Sequence, residues 1–289
     1  MKIRMLVFGF FLCAAFFAVP AFCQDLDGSP YTPGKDPNID MLMGSWKESM
    51  PRHTHGSLIE RDILTKGDPL NSPRKGAVLR YVNRFVYATL ESHDSTTPTT
   101  LQGEQEVFYI LSGKGMVNAG KKTADLYEGI SVLMPAGLPF TITNTGSELL
   151  AMYLVNEPVP QGFRPNKDML VKDENIIPTH IEHWDMLVKP LWATEDGLGT
   201  LENVLTVSFD PMTLGHPHFQ GKEESFEEVW TAISGETIAF IGKQVRMQPP
   251  GTGYLAPTDE ISVHCNINIS DKPATFFYFI KYRDHDVRK

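Results

Sequence analysis

Apolar and polar residues alternate with a period of two along much of the chain, which is the pattern of half-buried strands. Residues 78–87 alternate in this way and predict a strand, and the apolar run at 107–111 predicts a short buried one. Glycine and proline interrupt the pattern about every ten residues, as they do between the short strands of sandwiches and barrels. Helical periodicity is rare, and residues 181–191 are the best short helix candidate. The pattern therefore predicts an all-β architecture.

The sequence also repeats itself. Residues 106–113 match residues 228–235 at an offset of 122 positions. Later landmarks keep this offset, or one of 124 after a short insertion: Gly129 and Gly251, Pro135 and Pro257, Phe140 and His264, and Asn144 and Asn268. A nearly constant offset indicates a duplicated β module. We expect two domains, at 56–160 and 176–289, joined by a linker at 161–175.

The first 23 residues have the layout of a secretory signal peptide. Two cations precede an apolar run at 5–19, and Ala21 and Cys23 supply the small residues of a cleavage site after Cys23. Cleavage after Ala21 and retention as an N-terminal anchor helix are the alternatives. Residues 24–55 follow as an extended arm with Gly, Pro and Asp and no clear period. We therefore expect an exported protein, secreted or periplasmic.

Charge and cysteine content narrow the partners. The full chain carries a net charge of −9, and loss of the signal peptide with its two cations leaves −11. An acidic chain without a basic run does not favour nucleic acid or an anionic membrane surface. Cys13 and Cys23 leave with the signal peptide, so Cys265 has no second cysteine in the mature chain. The expected partner is a small-molecule substrate or ligand, with no nucleic acid and no membrane after cleavage.

The repeated landmarks resemble the two sequence motifs of the cupin family. In the first module, a Glu-x6-Gly motif at 106–113 is followed by Gly-x5-Pro-x-Gly-x2-Phe-x3-Asn at 129–144. In the second module, Glu-x6-Gly recurs at 228–235, and Gly-x5-Pro and His-x3-Asn recur at 251–257 and 264–268. The chain is therefore similar to a bicupin. This resemblance implies two tandem jelly-roll β-barrels behind the N-terminal arm.

In the cupin family, two histidines and a glutamate of the first motif and a histidine of the second hold a metal inside the barrel. The matching positions in the first module are Thr100, Gln102, Glu106 and Phe140. Hydroxyl and amide groups bind a divalent transition metal poorly and phenylalanine not at all, so this barrel is expected to be metal-free. The matching positions in the second module are His216, His218, Glu228 and His264. The resemblance implies one Mn, Fe, Ni, Co or Zn ion per chain, in the C-terminal barrel.

The second module departs from the family in the distance between His218 and Glu228, which is lengthened by an insert at 219–225. Glu224 and Glu227 are therefore alternative fourth ligands, and Glu228 is preferred because it occupies the repeat-matched position. Neighbours on a strand point to opposite faces, so only one of Glu227 and Glu228 can face the cavity.

Other polar residues are assigned to the surroundings of the site. The candidate acid/base groups beside the metal are Glu223, Glu224, Glu227 and Tyr254. The residues expected to lie outside the site are His53 and His55 at the surface or under the arm, His180 and His183 in solvent, and Cys265, buried and unreactive. The alternative for His180 and His183 is a place at the rim of the pocket.

Together these features predict an exported, metal-dependent enzyme that acts on a small hydroxy, keto or carboxylated metabolite. Isomerase, lyase (decarboxylase) and dioxygenase chemistry all stay open. The alternative is a non-catalytic cupin module that binds a metal or a sugar. Three converging imidazoles favour the enzyme, because a simple binder does not need them. The resemblance also implies association into homo-oligomers.

Overall fold

The computed structural model describes residues 36–183, 186–220, 226–259 and 261–282, which belong to one compact unit. In chain order its elements are α1 (Ile39–Leu42), β1 (Met43–Ser45), β2 (Arg52–Thr54), β3 (Leu58–Lys66), β4 (Ala77–Leu79), β5 (Arg84–Leu90), β6 (Glu104–Ser112), β7 (Gly115–Ala119), β8 (Lys122–Leu126), β9 (Ile130–Met134), β10 (Phe140–Asn144), β11 (Leu150–Pro158), β12 (Leu170–Asp173), β13 (His180–Glu182), β14 (Met186–Ala193), β15 (Asn203–Phe209), β16 (Glu227–Ser234), β17 (Thr237–Ile241), β18 (Gln244–Met247), β19 (Thr252–Leu255), β20 (His264–Asn268) and β21 (Ala274–Lys281). Short 3-10 turns follow β1, β12 and β14. None of the described helices has the length and apolar character that crossing a membrane requires.

The two modules share one architecture. In the first, a large sheet in the order β12-β9-β6-β11-β5-β3-β2, with β4 beside β3, is combined with a small sheet in the order β10-β7-β8. In the second, the corresponding sheets have the orders β1-β19-β16-β21-β15-β14-β13 and β18-β17-β20. The repeat-matched strands β6 and β16 hold equivalent places, each beside the last strand of its module. The predicted all-β fold with two tandem barrels is confirmed.

The edge strand of each large sheet comes from the segment that precedes the other barrel. β1, in the arm, pairs antiparallel with β19 of the second module, and β12, in the linker, pairs antiparallel with β9 of the first. The arm is held further by the paired contacts of Arg246 on β18 with the Asp40 carboxylate. The start of the described arm therefore pairs with the second barrel and contains α1, whose first turn is capped by the Asn38 side chain, whereas β2 at its end pairs with β3 of the first barrel.

Aromatic side chains join the two modules. Phe85 and Tyr153 of the first barrel contact Phe277 and Phe279 of the second, with ring centroids 5.2 to 5.8 Å apart. All four rings are buried and belong to one apolar cluster that draws on both modules. Burial of each such ring stabilises the folded state by about 2 kcal/mol, so this shared cluster stabilises the packing of the two barrels against each other.

Two buried carboxylates make reciprocal polar contacts between the barrels. On β16, Glu227 accepts hydrogen bonds from the backbone N–H groups of residues 80–82 at 2.5 to 3.1 Å. On β11, Glu157 accepts three from the N–H groups of residues 199–201 at 2.7 to 2.9 Å. Glu227 of the second barrel therefore holds residues 80–82 of the first, and Glu157 of the first holds residues 199–201 of the second.

Two local predictions are wrong. Residues 181–191 are not helical, since they contain part of β13 and most of β14. Residues 78–87 are not one strand, because β4 ends at Leu79 and β5 begins at Arg84. The N–H groups of residues 80–82 bond to Glu227 instead of to a neighbouring strand, and that of Asn83 bonds to the Asn156 carbonyl on β11.

Candidate metal centre

The second barrel contains a cavity of about 160 Å³, room for about five water molecules. Its described lining comprises the polar residues His216, His218, Gln220 and Glu228, the aromatic residues Trp230, Tyr278 and Tyr282, the aliphatic residues Met186, Val188, Leu205 and Val207, and the exposed Glu182 and His183. The cavity thus combines a polar cluster with an apolar wall, which is the usual composition of a small-ligand site.

Three of the predicted ligands converge beside this cavity, and two of them, His218 and Glu228, line it. His218, Glu228 and His264 each offer a ligand atom, and these atoms all lie within 4.8 Å of one another. Glu228 stands near the start of β16, and His264 begins β20. His218 joins β20 through an isolated bridge in which its backbone and that of His264 exchange hydrogen bonds of 3.3 and 2.8 Å. The fold therefore brings together residues that are distant in sequence.

The His218 ring is oriented for coordination. Its Nδ1–H donates a hydrogen bond of 2.8 Å to the backbone carbonyl of His216. The lone pair of the ring is therefore on Nε2, the atom that would bind a metal. Burial, together with the nearby His264, lowers the pKa of His218 below its usual value. The ring is therefore neutral near pH 7, which is the form that binds a metal.

Glu228 is a fully buried carboxylate. Its Oε1 lies 3.2 Å from the Nε2 of His264 and accepts a hydrogen bond from the Trp230 indole N–H, while its Oε2 accepts one of 2.5 Å from Gln220. Burial acts to raise the pKa of Glu228, but the neighbouring His264 and His218 and the Trp230 hydrogen bond hold it below its usual value. The ionised carboxylate of Glu228 therefore faces the imidazoles of His218 and His264.

Glu227 does not share this cavity. Its side chain lies on the opposite face of β16, where the backbone of residues 80–82 binds it. Burial raises the pKa of Glu227 to about 7, although its three N–H donors and Lys281 act to lower it. The prediction of Glu227 as an acid/base group beside the metal is corrected: this residue connects the barrels.

His216 and His183 form a ring stack at the cavity. The His216 ring lies 5.5 Å from that of His218 and 5.3 Å from that of His183 by centroid, with interplanar angles of 16° and 10°. His216 lines the cavity without belonging to the group whose ligand atoms converge. His183 is exposed, as expected, and it also lines the cavity beside His216, which is the alternative that the sequence left open. Its helical spacing from His180 was misleading, because the segment is a β-hairpin.

The other predicted neighbours lie behind the site or outside the described residues. Tyr254, on β19, is fully buried, with its ring centroid 6.4 Å from that of His264, and it does not line the cavity. Burial, reinforced by the negative charge of Glu228, raises its pKa well above the usual value, so as a buried phenol it is a poor acid/base group and that prediction is corrected. Glu223 and Glu224 lie outside the described residues. Cys265 is buried, and burial raises the pKa of its thiol to about 11.

The corresponding position of the first barrel holds ion pairs. Glu106 is fully buried and lies 3.3 Å from the Nε2 of His55 and 2.8 Å from the guanidinium of Arg84. The ring of Phe140 stands 5.7 Å from that of His55. The expectation that His55 packs at the surface or under the arm is corrected: its side chain is 5% exposed. Its fixed pairing with Glu106 could not be seen in the sequence, because no motif surrounds it.

The residues of the second barrel fit a divalent transition metal. Two imidazoles and a carboxylate are suitable donors for such an ion. His218 has the oriented neutral form that a metal ligand needs, and the Nδ1 of His264 is a buried atom without a hydrogen-bond partner among the described residues. In the first barrel, the histidine and the guanidinium already neutralise the matching glutamate.

Comparison with known proteins supports the fold. Residues 86–156, within the first module, match the family model described as Cupin domain. The chain is similar in structure to protein YlbA from E. coli, with a TM-score of 0.65 and 16% identity, covering 92% of this chain and 100% of that one. No curated protein matches the sequence.

Solved structures of an oxalate decarboxylase are similar as well. A variant of the Bacillus subtilis enzyme in which one tryptophan is replaced by phenylalanine has a TM-score of 0.64 and 15% identity, covering 88% of this chain and 80% of that one. Another structure of that enzyme, with a TM-score of 0.63, 14% identity and the same coverage, was reported in work on its Mn(II) centres. At these identities the likeness establishes the two-barrel fold.

Proposed function

We propose that this chain, which has the tandem-barrel fold of the cupin superfamily, is a metal-dependent enzyme whose active site is the cavity of the second barrel. The observation that carries the proposal is the convergence of His218, Glu228 and His264 within 4.8 Å beside a cavity that can admit a small molecule. In the first barrel, Phe140 and the ion pairs of Glu106 occupy the position that corresponds to this site.

A bound metal would act as a Lewis acid toward an oxygen atom of the substrate. The chain's own residues would prepare this site. Burial removes water from the carboxylate of Glu228, and the backbone carbonyl of His216 fixes the tautomer of His218. The contacts of Glu228 with His264, His218 and Trp230 outweigh its burial and favour the anionic carboxylate. The His216 carbonyl favours the neutral imidazole of His218, so the ligands need no large rearrangement to receive a cation.

The cavity lining supports a substrate that is small and part apolar. Oxygen donors of a hydroxy, keto or carboxylate group would face the metal, while Val188, Leu205 and Val207 contact the remainder. This apolar wall favours a hydroxy or keto compound with an apolar part over a bare dicarboxylate such as oxalate, which the similar solved enzyme decarboxylates.

The proposal includes export. The N-terminal segment, which lies outside the described residues, has the layout of a cleaved signal peptide. Expression of the full chain with its native N-terminus, followed by N-terminal sequencing of the protein outside the cytoplasm, tests this. A new terminus at Gln24 is expected, Phe22 would indicate the alternative cleavage site, and an intact Met1 would contradict export.

The enzymatic proposal is tested by metal content and ligand binding. Protein purified without added metal and analysed by plasma mass spectrometry is expected to hold about one equivalent per chain. His264→Ala should lose it, whereas His53→Ala, at an exposed histidine, should keep it. The metal-loaded protein should bind and convert a branched 2-keto acid in preference to oxalate. Metal retention by His264→Ala would contradict the site, and metal without turnover of any hydroxy, keto or carboxylate compound would favour the non-catalytic cupin.

A further inference from the structure

Gln220 lies among the candidate ligands although no cupin motif includes it. The residue is 5% exposed, and it follows His218 by two positions, so both residues can face the same side of an extended segment. The Nε2 atom of Gln220 lies 3.0 Å from the Nε2 of His218 and 2.5 Å from the Oε2 of Glu228. One carboxamide group therefore contacts two of the three converging side chains.

These contacts are directed at the atoms that a metal would use. The Nδ1–H of His218 is committed to the carbonyl of His216, so its Nε2 carries a lone pair. A primary amide has two N–H donors, one for this lone pair and one for the carboxylate of Glu228. The amide N–H groups of Gln220 therefore lie between the two ligands, where a cation would bind.

His216 has a different environment. Its side chain stacks on the ring of His218, and its backbone carbonyl fixes the tautomer of that residue. It does not belong to the group whose ligand atoms converge. The distances among the described residues therefore favour Gln220 over His216 as the fourth ligand.

We propose that Gln220, and not His216, completes the ligand set of the second barrel. This inference rests on the proposed metal site. In the metal-free protein the Gln220 amide holds His218 and Glu228 together through its N–H groups. When a metal takes those lone pairs, the N–H groups lose their acceptors. A half-turn of the amide then presents Oε1 at the place of Nε2, and a carboxamide oxygen is a suitable neutral donor for Mn(II).

The test measures Mn(II) affinity by calorimetric titration of the full-length mature protein. Gln220→Leu, which keeps the volume and loses the oxygen, should weaken binding by about 10–100-fold. Gln220→Glu, which keeps an oxygen donor, should bind at least as well as the wild type. His216→Ala should bind within a few-fold of the wild type. Gln102→Leu, an exposed glutamine of the first barrel, is the matched control and should not differ from the wild type.

A spectroscopic measurement separates a ligand from a supporting residue. The Mn(II) electron paramagnetic resonance spectrum should differ between wild type and Gln220→Glu, because the charge of a direct ligand changes, and it should not change in Gln102→Glu. If Gln220→Leu does not fold by circular dichroism, Gln220→Asn replaces it, with a shortened amide that should also weaken binding.

The outcomes are distinguishable. Equal affinity of wild type and Gln220→Leu, or an unchanged spectrum in Gln220→Glu, would overturn the role of Gln220 while the metal site stands. Loss of binding in His216→Ala, with binding retained in Gln220→Leu, would restore His216 as the ligand. A wild-type protein that binds no Mn(II), Fe(II), Co(II), Ni(II) or Zn(II) would overturn the metal site and this inference together.

Discussion

Glu227 and Glu228 show how strand geometry gives two adjacent, identical side chains different roles. Glu228 faces the cavity with His218 and His264, and Glu227 faces the first barrel and binds its backbone. Alternation on a strand predicts that only one of the pair faces inward. The contact with residues 80–82 could not be predicted, since it depends on how two distant modules pack.

The pH dependence of stability should report on Glu227. Because burial raises its pKa to about 7 from an ordinary 4.5, the folded chain binds more protons than the unfolded chain between these values. Its contribution to the free energy of unfolding therefore falls as pH rises from about 4.5 to about 7, by at most about 3 kcal/mol. Urea unfolding at about pH 5 and about pH 8 should show this decrease in wild type and in Glu128→Gln, an exposed control. The same decrease in Glu227→Gln would contradict this assignment.

His55 should contribute stability over a limited pH window. Although burial acts to lower it, Glu106 raises the pKa of His55 above 6.5, and His55 and Arg84 lower the pKa of Glu106 below 4.5. The His55 contribution is complete below pH 6.5 and is lost as pH rises through its folded pKa, while that of Glu106 is lost as pH falls through its own. His55→Ala should cost about 3 kcal/mol at about pH 5.5 and less at about pH 8.5. His53→Ala is the exposed control; an equal cost at both pH values for His55→Ala would show that the ion pair is not its source.

At the scale of elements, the predicted strands and the repeat agree with the structure where alternation is regular. The helix prediction at 181–191 failed because β14 has a bulge between Pro190 and Trp192. The bulge shifts the alternation, so that Val188 and Leu191 are both buried at a spacing of three. A spacing of three is also typical of a helix, and the sequence pattern alone does not separate the two.

The pairing of β1 with the second barrel can be tested at Gly44. A Cβ atom at this position would stand 1.9 Å from the backbone oxygen of Ile63, so an alanine must displace β1 or β3. Gly44→Ala should lower the free energy of unfolding by about 1–3 kcal/mol and should increase hydrogen exchange in β1 and β19. Gly146→Ala, where the added Cβ finds only ordinary contacts at 3.6 Å, is the matched control. Unchanged exchange in β19 would contradict the close packing of the arm.

At the scale of the molecule, the two copies of the module share one strand arrangement but have different side chains in their interiors. The repeat and the family motifs predict both barrels and the three converging residues, because Glu228, His264 and His218 occupy motif positions, the first two of them on regular strands. They do not predict Gln220 or His55, which lie on irregular segments outside the motifs. They also do not predict that β1 and β12 are exchanged between the modules, since strand pairing at that distance leaves no local pattern.

The first barrel is the internal control for the second. Both interiors have a repeat-matched glutamate, Glu106 and Glu228, in a buried position. A guanidinium and an imidazole neutralise Glu106, whereas the carboxylate of Glu228 faces two imidazoles and an amide. A cation is therefore expected at Glu228 alone.

Anomalous X-ray diffraction from crystals of the Mn-loaded protein tests this claim most directly. The account predicts one anomalous peak per chain, surrounded by His218, Glu228 and His264, and no peak beside His55 and Glu106. A peak in the first barrel, or none in the second after loading, would contradict it.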